Sequence, residues 1–385
     1  MITKLIDQIK EQDLQYLIIN EVLEGKTIEY KRDLTISTDK EKKEFLADVS
    51  SFANASGGDL IFGITENRDT GAPEVLEGLL IQNEDELIRK LEAQIRDGIK
   101  PRIPSVNIRA IPLNNNKSAL IIRILKSWVS PHRVTFSGHD KFFSRNSKGK
   151  YPLDVGELRT AFNMSSGITE QIRKFRENRI SEIYANESYL PLKEGIKAVL
   201  HLIPLSSVST EQTFDMSKLP FDPRLMQPFS SCGWDHRYNL DGFLTYSKTD
   251  DGKTRSYVQL FRNGVFEAVE SASEERTDLK IHRDFEISII KAFNKYISYL
   301  KVLNVGLPIF TFLTFTGVKG YTMNYEPIGI EKATIEKDVL LIPEIVIENF
   351  DIEAENILKP WFDTVWNACG FSRSMNYDSN GKRTR

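Results

Sequence analysis

The segment Glu24-Gly-Lys-Thr-Ile-Glu29-Tyr-Lys31 gathers groups able to act on a phosphodiester. Its second half carries β-branched and aromatic residues in alternation, which predicts a strand. In an extended strand Glu29 and Lys31 point to one face, and Ile28 and Tyr30 to the other. A hard oxygen ligand beside a cation is what phosphodiester cleavage needs. Mg²⁺ or Mn²⁺ takes carboxylate oxygens and keeps several waters. One such water, made more acidic, attacks phosphorus, or the ion steadies the leaving oxygen. The lysine neutralises charge growing on the phosphate oxygens. Glu24 reaches the same place only if the turn at Gly25 folds back. Glu66 joins if its strand runs parallel to that of Glu29. The plain alternative is a solvated strand face, whose exposed ion pair contributes about 0–1 kcal/mol.

A second group is basic. Arg145, Lys148 and Lys150 form a turn with Phe142, Phe143 and Tyr151 nearby. Cations interleaved with aromatics suit single strands or RNA loops, where charge tracks the backbone and rings stack on bases. Lys126, Trp128, His132 and Arg133 form a further basic and aromatic stretch. His132 and His139 flank a loop near the turn and are candidates for phosphate contact. Phe143 and His201 read as core residues, and charge runs are usually solvated faces. Asn54 to Gly58 reads first as the end of a helix before a buried strand; the glycines also permit close approach to phosphate. No Gly-Lys-[Ser/Thr] follows, so this is not a Walker A loop. No histidine spacing suits zinc, and no Gly-x-Ser-x-Gly elbow exists.

The elements that must position these groups follow from periodicity. Ile6, Ile9, Leu14, Leu17 and Ile18 recur near helical spacing, which predicts one amphipathic helix or two short ones ending around Leu23-Glu24-Gly25. The strand at Ile28 follows. Ser37-Thr38-Asp39 caps a helix with Phe45, Val49 and Phe52 on one face, and Gly57-Gly58 stops it. Leu60 to Ile64 reads as a buried strand. Strand, helix, strand in this span predicts a parallel crossover. A helix over Glu84 to Arg96, strands over Val106 to Ile111 and Ser118 to Leu125, a short strand at Phe142 to Arg145 and a short helix over Leu153 to Phe162 complete a first domain, 1–164. A charged helical connector, 165–186, leads to a second domain, 187–385. There, strands at 198–205, 241–247, 256–261 and 265–269, with a hairpin at Arg262-Asn263-Gly264, predict an antiparallel sheet. Helices at 285–300 and 351–369, the latter kinked at Pro360, flank further strands at 308–315 and 339–347.

Three stretches resemble the Schlafen AlbA_2 family. They are Glu24 to Lys31, the run Phe45 to Ile64 with its Phe52-Ala-Asn54 before the double glycine, and Phe143-Ser-Arg145 through Tyr151-Pro-Leu with Glu157-Leu-Arg. They cover somewhat less than half of the chain, and the middle one is the most specific. The resemblance implies an acidic cluster holding a divalent metal in members that cut RNA. Carried over, it assigns Glu24 and Glu29. The third acid is expected just after Gly63-Ile64, where Thr65 stands and Glu66 follows, with Asp59 and Asp69 as alternatives. Lys31, Arg32, Arg145, Lys148 and Lys150 would hold nucleic acid. Other members bind DNA or ATP without cutting. In a bacterial setting the family also implies phage defence or a toxin role.

The chain has 385 residues and a net charge of −3, so nucleic-acid contact has to be local. Its longest apolar runs are strand length and too short for a bilayer. The N-terminus lacks an apolar signal core, and the two cysteines, Cys232 and Cys369, form no framework. A cytoplasmic protein with reduced, partly buried thiols is expected. The fold class is α/β: an AlbA_2-like mixed-sheet domain, then an α+β domain with a largely antiparallel sheet. The leading expectation is a Mg²⁺- or Mn²⁺-dependent endonuclease on tRNA-like RNA or DNA. The competing one is a non-catalytic nucleic-acid- or nucleotide-binding module, a regulator or complex subunit, with self-association left open.

Overall fold

The computed structural model describes residues 2–384 except 3, 5, 68–70, 139, 210–212, 220–223, 272–278 and 326–332. Asp69 and His139 therefore lie outside the described residues. The chain divides into two compact units, Met1–Thr169 and Glu170–Arg385.

The first unit runs α1 (Glu11–Ile19), β1 (Ile28–Lys31), α2 (Asp39–Asn54), β2 (Gly58–Phe62), β3 (Ile64–Glu66), β4 (Pro73–Leu76), α3 (Glu84–Gly98), β5 (Ile99–Lys100), β6 (Val106–Pro112), β7 (Ser118–Ile124), β8 (Arg133–Val134), β9 (Lys141–Asn146) and β10 (Gly149–Pro152). Helix α4 (Val155–Tyr184) follows. The expected crossover is present: β1 and β2 are parallel and α2 joins them. A capping box starts α2. The Thr38 hydroxyl accepts from the Glu41 N–H, and the Glu41 carboxylate accepts from the Thr38 N–H at 2.8 Å. The main sheet has the order β1-β2-β7-β6, with the pairs after β2 antiparallel, so it is mixed.

Alternation splits this sheet into two buried faces. Leu60, Phe62, Leu120 and Ile122 pack with Phe45, Val49 and Phe52 of α2 and Leu91 of α3. Ile28, Tyr30, Ile61 and Ile121 pack on Leu14 and Leu17 of α1. Glu29 lies opposite Leu60 and Lys31 opposite Phe62, which puts both on the α2 face. A second sheet, β10-β9-β8-β5, is antiparallel throughout. Asn54 at the end of α2 ties it down: its amide donates to the His132 and Phe143 carbonyls, and its oxygen accepts from the His132 N–H.

The double glycine is required by packing. A Cβ on Gly58 would stand 2.5 Å from both the Thr27 carbonyl oxygen and a Phe52 ring carbon. Gly57 has φ +71° and would meet the Lys126 nitrogen at 2.7 Å. Gly58→Ala should therefore destabilise the protein by about 1–3 kcal/mol. The check is a lower urea midpoint at unchanged m value; an unchanged midpoint would contradict the packing.

The second unit is built on an eight-stranded sheet. Its strands are β11 (Lys197–Pro204), β12 (Asp235–Asn239), β13 (Gly242–Lys248), β14 (Thr254–Phe261), β15 (Phe266–Ser271), β17 (Ile309–Thr316), β19 (Val339–Leu341) and β20 (Ile345–Ile347). The order is β12-β13-β14-β15-β11-β17-β19, with β20 also on β17, and every pair is antiparallel. The short strands β16 (Lys280–Ile281) and β18 (Thr322–Met323) pair separately in parallel. The short helix α5 (Ser206–Ser209) follows β11. Helices α6 (Phe285–Val302), α7 (Ala354–Ile357) and α8 (Lys359–Ala368) pack on the face carrying Leu200, Val258, Leu260 and Ala268. Ile180 and Ile183 of α4 cover the opposite face, on Val199, Tyr257 and Val269.

Three expectations change in detail. The short helix at 153–162 and the connector form one helix, Val155–Tyr184, because no proline interrupts them. Its second half buries Arg176 and Arg179 as well as Ile180. The closing helix is two helices that meet at Leu358, with Pro360 in the first turn of α8, where a missing N–H is tolerated. Cys232 is exposed and only Cys369 is buried. Among the described residues no helix is long and apolar enough to cross a membrane.

Candidate active site

β1 is an edge strand, so the Tyr30 N–H points away from the sheet. The Glu24 carboxylate accepts it at 2.7 Å. The intervening turn closes when the Gly25 N–H donates to the Ile28 carbonyl at 3.0 Å. On the other side, the Gly63 N–H donates to the Lys31 carbonyl at 2.8 Å, and β3 then delivers Glu66. The turn at Gly25 thus folds back as required, and the Glu66 carboxyl acts on that of Glu24. Glu24 is exposed as a whole residue, but its carboxyl is turned inward. Partial burial, then Glu66 and Glu29, push its pKa up to about 7, against the pull of the Tyr30 N–H. Oε1 of Glu66 is buried and receives no hydrogen bond from a described donor. The Tyr30 hydroxyl donates to the Val22 carbonyl at 2.8 Å; burial and both acids hold it protonated.

Glu29 faces the other way. Lys31 Nζ is 2.6 Å from Oε1, and Arg145 Nη1 is 2.8 Å from Oε2, an ion pair off the hydrogen-bond axis. Burial alone would raise the Glu29 pKa; Lys31 and Arg145 reverse this and hold it below the usual range. Arg145 lies with its guanidinium 3.6 Å from the Phe52 ring centroid and donates to the Gly25 carbonyl at 3.3 Å. Asp48 of α2 stands 4.0 Å from Lys31 Nζ and 2.5 Å from Lys150 Nζ. Burial and Glu29 push Asp48 up to about 6 against those lysines. Lys31 keeps its proton firmly: Asp48, Glu29 and Glu24 outweigh its desolvation.

The predicted residues therefore divide. Glu24 and Glu66 meet; Glu29 joins Lys31 and Arg145. Of the basic turn, Arg145 is buried, Lys150 is paired with Glu44 and Asp48, and Lys148 stands exposed between β9 and β10. Arg32 is exposed, 3.3 Å from Glu77. Asp59 is committed elsewhere, to Arg123 at 2.7 and 3.0 Å and to the Ile2 N–H at 2.7 Å. His132 is fully buried, with Nδ1 2.8 Å from the Pro101 carbonyl, and burial takes its pKa down to about 4. It is a core histidine, not a phosphate contact. Asp48 went unread in the sequence, although an acid inside the apolar run Phe45 to Phe52 was a signal for it.

A divalent ion is tested by these donors. Among the described residues no three His, Cys, Asp or Glu side chains converge on one point. Mg²⁺, however, is usually held by one or two carboxylates, with waters and substrate phosphates completing its shell. Glu24 and Glu66 fit that need, since one oxygen is buried without a donor. Glu29 does not, being neutralised by two cations.

Residues 24–154 match the model of the family described as Schlafen, AlbA_2, and the whole candidate site lies within them. No curated protein matches. Among solved structures, the chain is similar to the DIP2311 protein from Corynebacterium diphtheriae, at 17% identity and a TM-score of 0.25. That alignment covers 37% of this chain and 27% of the other, so it spans about a quarter of the neighbour. It is also similar to the N-terminal domain of a putative ATP-dependent DNA helicase RecG-related protein from Nitrosomonas europaea. There the identity is 21%, the TM-score 0.26, and the coverage 33% of this chain and 82% of the other.

Proposed function

We propose that this chain, with a Schlafen AlbA_2 domain at residues 24–154, acts on nucleic acid as a divalent-metal-dependent endonuclease. The observation that carries the reading is the Glu24–Glu66 carboxyl pair with its donorless buried oxygen, set beside the Glu29–Lys31 ion pair. Glu24 and Glu66 would hold Mg²⁺ or Mn²⁺. Bound there, the ion supplies an acidified water and charge stabilisation at phosphorus. Glu29 and Asp48 hold Lys31 charged and in place, and its side chain, 37% exposed, can still meet a phosphate oxygen. Arg145 acts through Glu29 as a positioning residue. Lys148 and Arg32, both exposed, are the outer phosphate contacts. Lys126, whose pKa falls through burial and the repulsion of Lys26, gains from any bound phosphate. The substrate class is structured, tRNA-like RNA or DNA, in a cytoplasmic setting of defence against phage.

The test is cleavage of labelled tRNA and single-stranded DNA by the full chain, with Mn²⁺ or with chelator. Glu24→Gln/Glu66→Gln should lower the rate about 100-fold or more while binding stays near normal. Cutting that survives chelator or the double substitution would sink the reading. A second reading, binding without cleavage, is favoured by the complete neutralisation of Glu29. It predicts no cutting, and salt-sensitive binding whose slope falls by about 1 in Lys148→Ala.

A further inference from the structure

We propose that the second unit binds a guanine nucleotide in a cavity at one end of its large sheet, the base on Glu270 and the phosphates on Arg255 and Lys280. This is separate from the chemistry at Glu24 and Glu66 and does not rest on it.

The cavity holds about 560 Å³, within the usual range of small-molecule sites. Strand register creates it. Phe315, Ala198, Glu270 and Ser256 are direct cross-strand neighbours on four adjacent strands. Residues so paired point to one face. Ala198 and Ser256 are small and flank Glu270, so a gap opens where larger residues further along the same strands fill the core. Phe285 and Ser288 from the start of α6 and Tyr321 border the gap.

Glu270 is the polar centre. It is half-buried and lines the cavity together with Ser230. Burial raises its pKa, and Ser230 and Arg255 oppose the rise. Ser230 itself is held at φ +49°, a left-handed conformation unusual for a non-glycine residue. Its hydroxyl also reaches Ser288 at 3.4 Å. An ionised carboxylate only accepts hydrogen bonds, so it suits a ligand edge with adjacent donors. Among the common bases, guanine alone presents two neighbouring N–H donors on its pairing edge. Adenine and cytosine set a donor beside an acceptor, and uracil sets one donor between two acceptors. The rings of Phe285, Phe315 and Tyr321 offer the apolar faces a planar base packs on.

The cavity lining is also rich in cations. Lys193, Arg255 and Lys280 stand there beside a further acid, Asp284, and Arg255 is close enough to Glu270 to lower its pKa. A smaller cavity of about 270 Å³ shares Ser230 and Ser288 and adds Lys291 and Lys295. Phosphates entering from either side meet positive charge. A purine alone would leave Lys280 unmatched, which is why the proposal is a nucleotide and not a free base.

The experiment is calorimetric titration of the full chain with GMP, GTP, guanosine, AMP and CMP. GMP should bind about 10–100-fold more tightly than AMP or CMP, the discrimination of one bidentate base contact. Glu270→Gln should lose about that factor for GMP. Arg255→Ala/Lys280→Ala should weaken GTP about tenfold or more and leave guanosine unchanged. Thermal melting of each variant confirms folding. Should Glu270→Gln fail to fold, the comparison of GTP with guanosine on the Arg255/Lys280 variant still decides. The proposal is overturned if no guanine ligand binds at about 1 mM, if AMP matches GMP, or if folded Glu270→Gln binds GMP as the unsubstituted chain does.

Discussion

Arg145→Ala should lower the stability of the first unit by about 3–5 kcal/mol, the cost of breaking a buried ion pair from one side. Glu29 is 7% exposed and Arg145 3%. Removing the guanidinium leaves the Glu29 carboxylate with Lys31 alone, strips the contact with the Phe52 ring and frees the Gly25 carbonyl. Arg145→Lys should rescue little, because an ammonium neither stacks flat on Phe52 nor reaches two partners in one plane. Urea unfolding followed by far-ultraviolet circular dichroism measures the loss. The alternative, an arginine that grips phosphate from the surface, predicts unchanged stability and a weaker, less salt-dependent complex. A midpoint matching the unsubstituted protein would therefore return Arg145 to the binding surface.

Arg179→Met should destabilise the second unit to a similar extent. Glu267 is wholly buried in the large sheet and is met from three sides. Arg179 donates to both its oxygens at 2.8 Å, the Tyr257 hydroxyl donates at 2.8 Å, and His201 Nε2 lies at 3.0 Å. Burial would raise the Glu267 pKa, but Arg179 and His201 bring it down to about 2, from an ordinary 4.5. A depressed carboxyl pKa stabilises the fold fully above the unfolded value. The contribution, about 3 kcal/mol by linkage, should fade as pH falls from about 4.5 towards 2. Without Arg179 the carboxylate is buried with little compensation, so the variant should unfold about 3–5 kcal/mol more easily at pH 7. It should also lose much of that acid dependence. Arg179→Met/Glu267→Met, which removes both charges, should recover most of the loss. Midpoints at pH 7 and pH 3 for the three proteins decide it; an additive double variant would contradict a coupled pair.

The sequence carried the local part of this architecture well. Alternation in Thr27 to Lys31 set Glu29 and Lys31 on one face, and the capped run ending at Gly57-Gly58 announced the crossover, because both signals span one or two neighbouring elements. The Arg262-Asn263-Gly264 turn likewise exposed the β14–β15 hairpin. What pairs with what across the chain was not legible. Arg145 read as a phosphate contact on a basic turn, although β9 buries Ser144 and Arg145 against α2. Asp48 went unread, although it faces two lysines from distant strands. Local charge patterns report composition and not partners. The cavity beside Glu270 depends on the register of four strands and has no sequence signature of its own.

β1 lies at the edge of its sheet. An edge strand with free N–H groups invites a neighbouring chain to add as a further strand. Here the Glu24 carboxyl occupies the outward Tyr30 N–H. The side chain that equips the site thus also acts as a guard against edge-to-edge aggregation. Glutamine keeps an acceptor at that position, whereas alanine uncovers the edge. A Glu24→Ala preparation that clumps on concentration would report on this guard and not on the proposed metal site.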